Sequence, residues 1–176
     1  MPIAAAVALN ILGVSAFAQS EGPPRLIPAP QEPKPTFTLE DSERVSTVLN
    51  DLHGRPVLVH FFATWCEPCR VELPALQRLT ERAGTLRVLT ISVAEPEARV
   101  RTFLDKMPLT FPVLLDRDRS VARSWKVSAL PTTYILDVNL QPRLFVESDY
   151  SWDQVDVPAL ENSLSNGGEQ HAVPSP

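Results

Sequence analysis

The stretch that most constrains this chain is the apolar run Val57-Leu58-Val59-His60-Phe61-Phe62-Ala63, which leads directly into Thr64-Trp65-Cys66-Glu67-Pro68-Cys69 and the only two cysteines of 176 residues. A run this apolar fits a strand covered on both faces. The residues beyond it start a helix: Pro68 suits a first turn, where its missing N–H has no partner to lose, and Leu73, Leu76 and Leu79 recur at helical intervals before Gly84 stops the pattern. The helix is expected over Cys69 to Ala83. Two thiols three positions apart at such a junction lie on one helical face, close enough to form and break a disulfide.

That spacing points to redox chemistry rather than to architecture. A bridge closing so small a loop removes little entropy from the unfolded chain, so a purely stabilising disulfide gains little here. A thiol at the helix N-terminus meets free amide hydrogens and the positive end of the dipole, which favour thiolate, so Cys66 is the expected nucleophile. Cys69, one turn further in, is then the resolving thiol. A metal site would need further ligands at fixed spacing, and His53, His60 and His171 supply none, so no metal and no cofactor is expected.

Composition sets the rest of the frame. Hydrophobic residues at 44% and charged residues at 21% suit one globular domain with appendages. A formal charge of -5 without a basic cluster argues against nucleic acid as a partner. Ile3 to Ala18 is uncharged, apolar apart from Asn10 and Ser15, and ends in Ala16-Phe17-Ala18, the small-x-small pattern of a signal-peptidase site. Residues 1–18 are therefore read as an export signal or a membrane anchor, with no cysteine behind them to carry a lipid. Residues 19–35 hold six of the eighteen prolines and read as an extended linker. The folded domain is expected over 36–166, with 167–176 as a flexible tail.

Within the domain, strand and helix signals alternate. Phe37 to Leu39 reads as a short edge segment, Val57 to Ala63 and Leu86 to Val93 as buried strands, and Glu95 to Lys106 as a helix. Phe111 to Leu115, Thr132 to Leu136 and Leu144 to Glu147 read as strands; Arg119 to Lys126 and Val157 to Leu164 read as helices. Such alternation places helices on a central mixed sheet, an α/β/α arrangement.

These residues resemble a known family. The wording Val57 to Cys69, then Glu72-Leu73-Pro74, then Leu130-Pro131-Thr132-Thr133-Tyr134-Ile135-Leu136-Asp137, is similar to a thioredoxin-fold thiol-disulfide oxidoreductase of the TlpA/ResA-like exported branch. About 40 residues separate Ile91 from Pro131, room for an additional helix and strand beyond a minimal thioredoxin. The insert at Pro96 to Leu115 is similar to the one this branch carries in mid-domain. A departure is His60, where thioredoxins usually have an aspartate and many members of this branch an asparagine.

The resemblance implies a cis Pro131 facing the cysteines, with the backbone of Leu130 open to an extended substrate segment. It also implies that Glu72, one turn beyond Cys69, influences the thiols and their proton traffic. Trp65, Glu67 and Pro68 around the first thiol complete the expected substrate contacts. Thr64 and Glu67 also match a capping box, in which Thr64 caps the helix and Glu67 reaches back and raises the Cys66 pKa; the bland alternative is a solvent-facing Glu67. His60, in a buried strand, is expected neutral and able to take a proton from Cys69, or else to be a satisfied core histidine.

The implied activity is reduction of disulfides in exported proteins such as apocytochrome c or copper-site proteins, in the periplasm, by a monomer recharged from a membrane electron donor. Oxidation or isomerisation is the alternative direction. A copper-holding metallochaperone is a further alternative, without methionine or histidine support.

Overall fold

The computed structural model describes residues 24–165; the expected export signal and tail lie outside that range. Twelve regular elements succeed one another in chain order: β1 (Ile27–Pro28), β2 (Thr38–Glu40), β3 (Ser46–Val48), β4 (Val57–Phe62), α1 (Glu67–Arg82), β5 (Arg87–Val93), α2 (Glu97–Leu104), β6 (Val113–Asp116), α3 (Ser120–Ser124), β7 (Thr132–Leu136), β8 (Pro142–Val146) and α4 (Val157–Ser165). The main sheet runs β1-β8-β7-β4-β5-β6. Strand β4 is parallel to β5 and antiparallel to β7, so the sheet is mixed as expected.

Strand β4 is central and wholly buried, as its composition dictates. Its alternation divides the core in two. Leu58 and Phe62 join Cys69, Leu73, Leu76, Leu79 and Trp152 on the α1 face. Val57, Val59 and Phe61 join Ile91, Trp125 and Tyr134 on the other. Burying each such aliphatic or aromatic side chain contributes roughly 1.5–3 kcal/mol, so both faces of β4 are anchored in the core. The expected mid-domain insert is α2 and β6, the latter closing one sheet edge beside β5.

Two boundaries differ from the sequence reading. The expected linker is not free through residue 35: β1 pairs with β8, Ala29 is buried, and Pro35 O accepts a hydrogen bond from Trp125 Nε1 at 2.9 Å. Lys34 Nζ donates to Trp125 O and lies 4.3 Å from the centre of the Tyr134 ring. The proline-rich segment thus covers the indole that a domain starting at residue 36 would leave with an unpaired N–H. Helix α1 begins at Glu67 rather than Cys69 and runs unbroken through Pro74 to Arg82.

Candidate active site

The site lies where β4 gives way to α1. Cys66 is the N-cap of α1, and Cys66 and Cys69 are joined in a disulfide with 5.3 Å between their Cα atoms. The Cys69 amide donates to Cys66 Sγ at 3.3 Å, so the first sulfur already sits against a free helix N–H. Cys66 is 5% exposed and Cys69 fully buried. The first thiol is less open than the sequence suggested, yet it alone of the two can be reached from outside.

The capping box does not form. Thr64 turns away from α1: its N–H donates to Glu95 Oε2 at 2.8 Å and its hydroxyl to Glu95 Oε1 at 2.5 Å. Glu95, buried just beyond β5, also accepts from Ser92 Oγ at 2.8 Å. One carboxyl thereby fixes the loop that presents Trp65 and Cys66. Glu67 lies out in solvent and pairs with Arg70 at 3.0 Å, which leaves it no route back to the helix start. Pro68 occupies the first turn as its chemistry requires.

Beneath the disulfide, on the α1 face, lie two buried polar side chains with an atom lacking any partner. Glu72 is one turn from Cys69 on α1; its Oε1 accepts from Trp152 Nε1 and its Oε2 is unpaired. Burial pushes this carboxyl up to about 8, with Asp149 adding repulsion against the opposing hydrogen bonds from Trp152 and Tyr150. It therefore holds its proton near neutrality. His60 alternates on β4 with Leu58 and Phe62 and so projects toward the same layer. Its Nδ1 is 2.9 Å from Thr133 Oγ1, its Nε2 has no partner, and burial lowers its pKa to about 3, keeping the ring neutral.

The Leu130–Pro131 bond is cis. Glu147 holds the loop before it, its Oε1 accepting from Ser128 N at 3.3 Å, from Ala129 N at 3.1 Å and from Ser128 Oγ. A groove of about 240 Å³ runs between Leu130, Ala129, Arg119 and Ala94 on one side and Trp65 on the other. Trp65 is 65% exposed, a flat apolar surface beside the disulfide. A second, more open trough of about 530 Å³ lies across the loop, between Thr64 and Arg70 and the α2 residues Arg99, Thr102 and Phe103, with Lys106 from the turn after α2.

The structure thus brings Cys66, Cys69, Trp65, Glu72 and Leu130 to one junction, and leaves Glu67 in solvent. Sequence reading missed Glu95, Glu147 and Trp152. For Glu95 a signal existed, a lone carboxyl directly after the apolar strand and ahead of Pro96; for Trp152, eighty residues from Glu72, there was none.

Comparison with known proteins agrees with this geometry. Thioredoxin-like protein YneN of Bacillus subtilis is 41% identical over 107 residues, covering 58% of this chain and 62% of that protein. Thiol-disulfide oxidoreductase ResA of Bacillus subtilis is 37% identical over 105 residues, covering 58% of this chain and 59% of its own length. The chain thus spans about 60% of the length of these curated relatives. A solved thiol:disulfide interchange protein of the thioredoxin family from Chlorobium tepidum superposes with a TM-score of 0.63 at 22% identity, over 76% of this chain and 97% of that one, which shows a shared fold. The AhpC/TSA family model matches residues 30–141, from the segment under Trp125 to the turn after β7 and so across both cysteines and the cis proline; the chain belongs to the AhpC/TSA family, on a thioredoxin fold.

Proposed function

We propose that this chain is a thiol-disulfide oxidoreductase that reduces disulfides of other proteins on the outer side of the cytoplasmic membrane, in the periplasm, after export by residues 1–18. The observation that carries the reading is the asymmetric disulfide at the start of α1, with Cys66 touched by a free helix amide and reachable, and Cys69 sealed behind it. The names of the curated relatives support it.

In the reduced form the helix dipole and the Cys69 amide favour the Cys66 thiolate. The thiolate attacks one sulfur of a substrate disulfide, forming a mixed disulfide and expelling the other sulfur as a thiolate that takes a proton from water. Cys69 then loses its proton and attacks Cys66 Sγ, closing the intramolecular bridge and releasing the second substrate thiol. Two electrons pass to the substrate, and a dithiol donor, membrane-held in this reading, must return them.

Cys69, fully buried, needs a proton acceptor among the side chains around it. With Nδ1–H donated to Thr133 Oγ1, His60 Nε2 presents a lone pair that can orient the thiol by a hydrogen bond, while burial makes the ring too weak a base to keep the proton. Glu72, protonated when the bridge is closed, is the group that exchanges a proton with the thiols one turn away. The groove lined by Trp65 and Leu130, the residue before cis Pro131, supports reading these residues as the border of the substrate path.

The test uses the fully reduced chain. It should reduce a protein disulfide rapidly, and alkylation at neutral pH should label Cys66 before Cys69. Its equilibrium with glutathione should give a potential near about -270 mV; a value near about -120 mV would make it an oxidant instead. Native reduced protein that neither alkylates at Cys66 nor reduces any disulfide would refute the reading.

A further inference from the structure

The trough beside Thr64 has a composition that disulfide exchange alone does not call for. Its α2 wall presents Arg99, Thr102 and Phe103 from one helical face, Lys106 follows from the turn after α2, and Arg70 of α1 completes the lining, which includes no carboxylate. Among the described residues Arg99, Lys106 and Arg119 have no ion-pair partner. The nearest α2 carboxylate, Glu97, is held on the other side of the helix by Arg44, Arg101 and Arg117 and offers the trough no counter-charge. Glu67 is taken up by Arg70. The unpaired cations of the trough, Arg99 and Lys106, stand in a chain whose formal charge is -5.

Thr64 borders this trough and Trp65, the next residue, borders the groove at Leu130. A polypeptide laid across Cys66 would therefore leave the apolar groove and enter the cationic trough. Arg99 on α2 and Lys106 in the turn just after it lie seven residues apart in the chain, and so offer two separate points for the carboxylates of one bound segment. The half-buried Phe103 between them gives an apolar floor.

We propose that this trough is the docking surface for an acidic stretch of a protein substrate, lying to one side of the cysteine that Cys66 attacks. The inference rests on the exchange reading above and adds a substrate class to it: cysteines flanked by two carboxylates a few residues apart. Steering by the same charges raises the rate of encounter and fixes the direction in which the substrate lies.

The experiment measures second-order rates of the reduced full chain with single-cysteine peptides carried as neutral thiopyridyl mixed disulfides and differing only in flanking residues: Asp and Glu, Gln, or Lys. The acidic peptide should react about tenfold faster than the Gln peptide at about 0.01 M ionic strength, the Lys peptide should be slowest, and the spread should shrink at about 0.5 M. Arg99→Glu with Lys106→Glu should reverse the order; Arg99→Gln with Lys106→Gln should bring the acidic peptide down to the rate of the Gln peptide. Equal rates for the three peptides in wild type, or an acidic preference untouched by charge reversal, overturn the proposal while leaving exchange intact. If no peptide reacts, exchange and docking fall together. Charge-indifferent rates combined with sedimentation on phosphatidylglycerol vesicles that Arg99→Glu abolishes would assign the trough to a lipid surface instead.

Discussion

Replacing Glu72 by Gln should change how the stability of the oxidised protein depends on pH. Glu72 ionises near its ordinary value of 4.5 in the unfolded chain, whereas burial beside Trp152 pushes it up to about 8 in the folded one. Between those values the unfolded chain has released a proton that the folded chain keeps. The contribution of Glu72 is therefore fully present below about pH 4.5 and is lost as the pH rises toward 8. Each unit of fully developed mismatch is worth about 1.4 kcal/mol, so the ceiling between pH 5 and pH 8 is about 4 kcal/mol. Relaxation around the charge reduces this to about 2 kcal/mol, or about 6 °C in Tm for a domain of this size. His60 acts with the opposite sign: its pKa is lowered to about 3, so its contribution is present above pH 6.5 and lost as the pH falls through that window. The wild type should accordingly be nearly flat from pH 4.5 to 6.5 and decline from 6.5 to 8. Glu72→Gln should rise to pH 6.5 and then stay level. Urea unfolding of the oxidised protein at pH 5, 6.5 and 8, monitored by tryptophan fluorescence, gives the difference directly. A wild-type-to-variant difference constant to within about 0.5 kcal/mol over that range would show that no proton-holding carboxyl lies beneath the disulfide.

Four further outcomes are expected. His60→Asn should slow resolution of a trapped Cys66 mixed disulfide by about tenfold or more, measured by stopped-flow release of the substrate thiol; an unchanged rate removes His60 from the proton path. Glu95→Ala leaves the Thr64 N–H and the Thr64 and Ser92 hydroxyls without their acceptor, at a cost of about 1–3 kcal/mol in denaturant unfolding, and should lower hydrogen-exchange protection at the Thr64 amide. A chain beginning at Thr36 loses Pro35 as acceptor for the buried Trp125 N–H together with the β1 pairing, and should be about 2–4 kcal/mol less stable than one beginning at Pro24. Glu67→Gln should leave the Cys66 pKa within about 0.3 unit, since Glu67 is solvated and paired with Arg70; a larger fall would mean that it does reach the helix start.

What the sequence discloses and what it conceals divide along a physical line. Strand β4 and helix α1 are readable because their stability is local in pattern: an apolar run needs two covered faces, and leucines at helical spacing need one. The reactive pair is readable because two cysteines at one helix start have few other uses. Strands β1 and β3 leave no such trace. Ile27 and Pro28 are exposed, so no alternation marks them, and what makes them a strand is the free edge of β8. The same reason explains the failed capping box. A Thr-x-x-Glu pattern offers local hydrogen bonds, but Glu95, thirty-one residues onward, offers Thr64 two of them from a buried carboxyl. Desolvated partners outcompete solvated ones because leaving them unpaired costs more.

The buried carboxyls of Glu95 and Glu72 obey that rule, while Glu147 holds its loop from an exposed position. Glu95 sets the loop of Cys66, Glu147 the loop of Pro131, and Glu72, with Trp152 from a distant turn, the proton inventory beneath the disulfide. Each has a partner distant in the chain: Thr64 is thirty-one residues from Glu95, Ser128 nineteen from Glu147 and Trp152 eighty from Glu72. The sulfur chemistry is thus written locally in Cys66-Glu67-Pro68-Cys69, whereas the tuning of that chemistry is written in side chains that the fold alone brings together. Substitutions at Glu95, Glu147 or Trp152 should therefore alter the rate and the pH dependence of exchange while leaving intact the motif by which the chain is recognised.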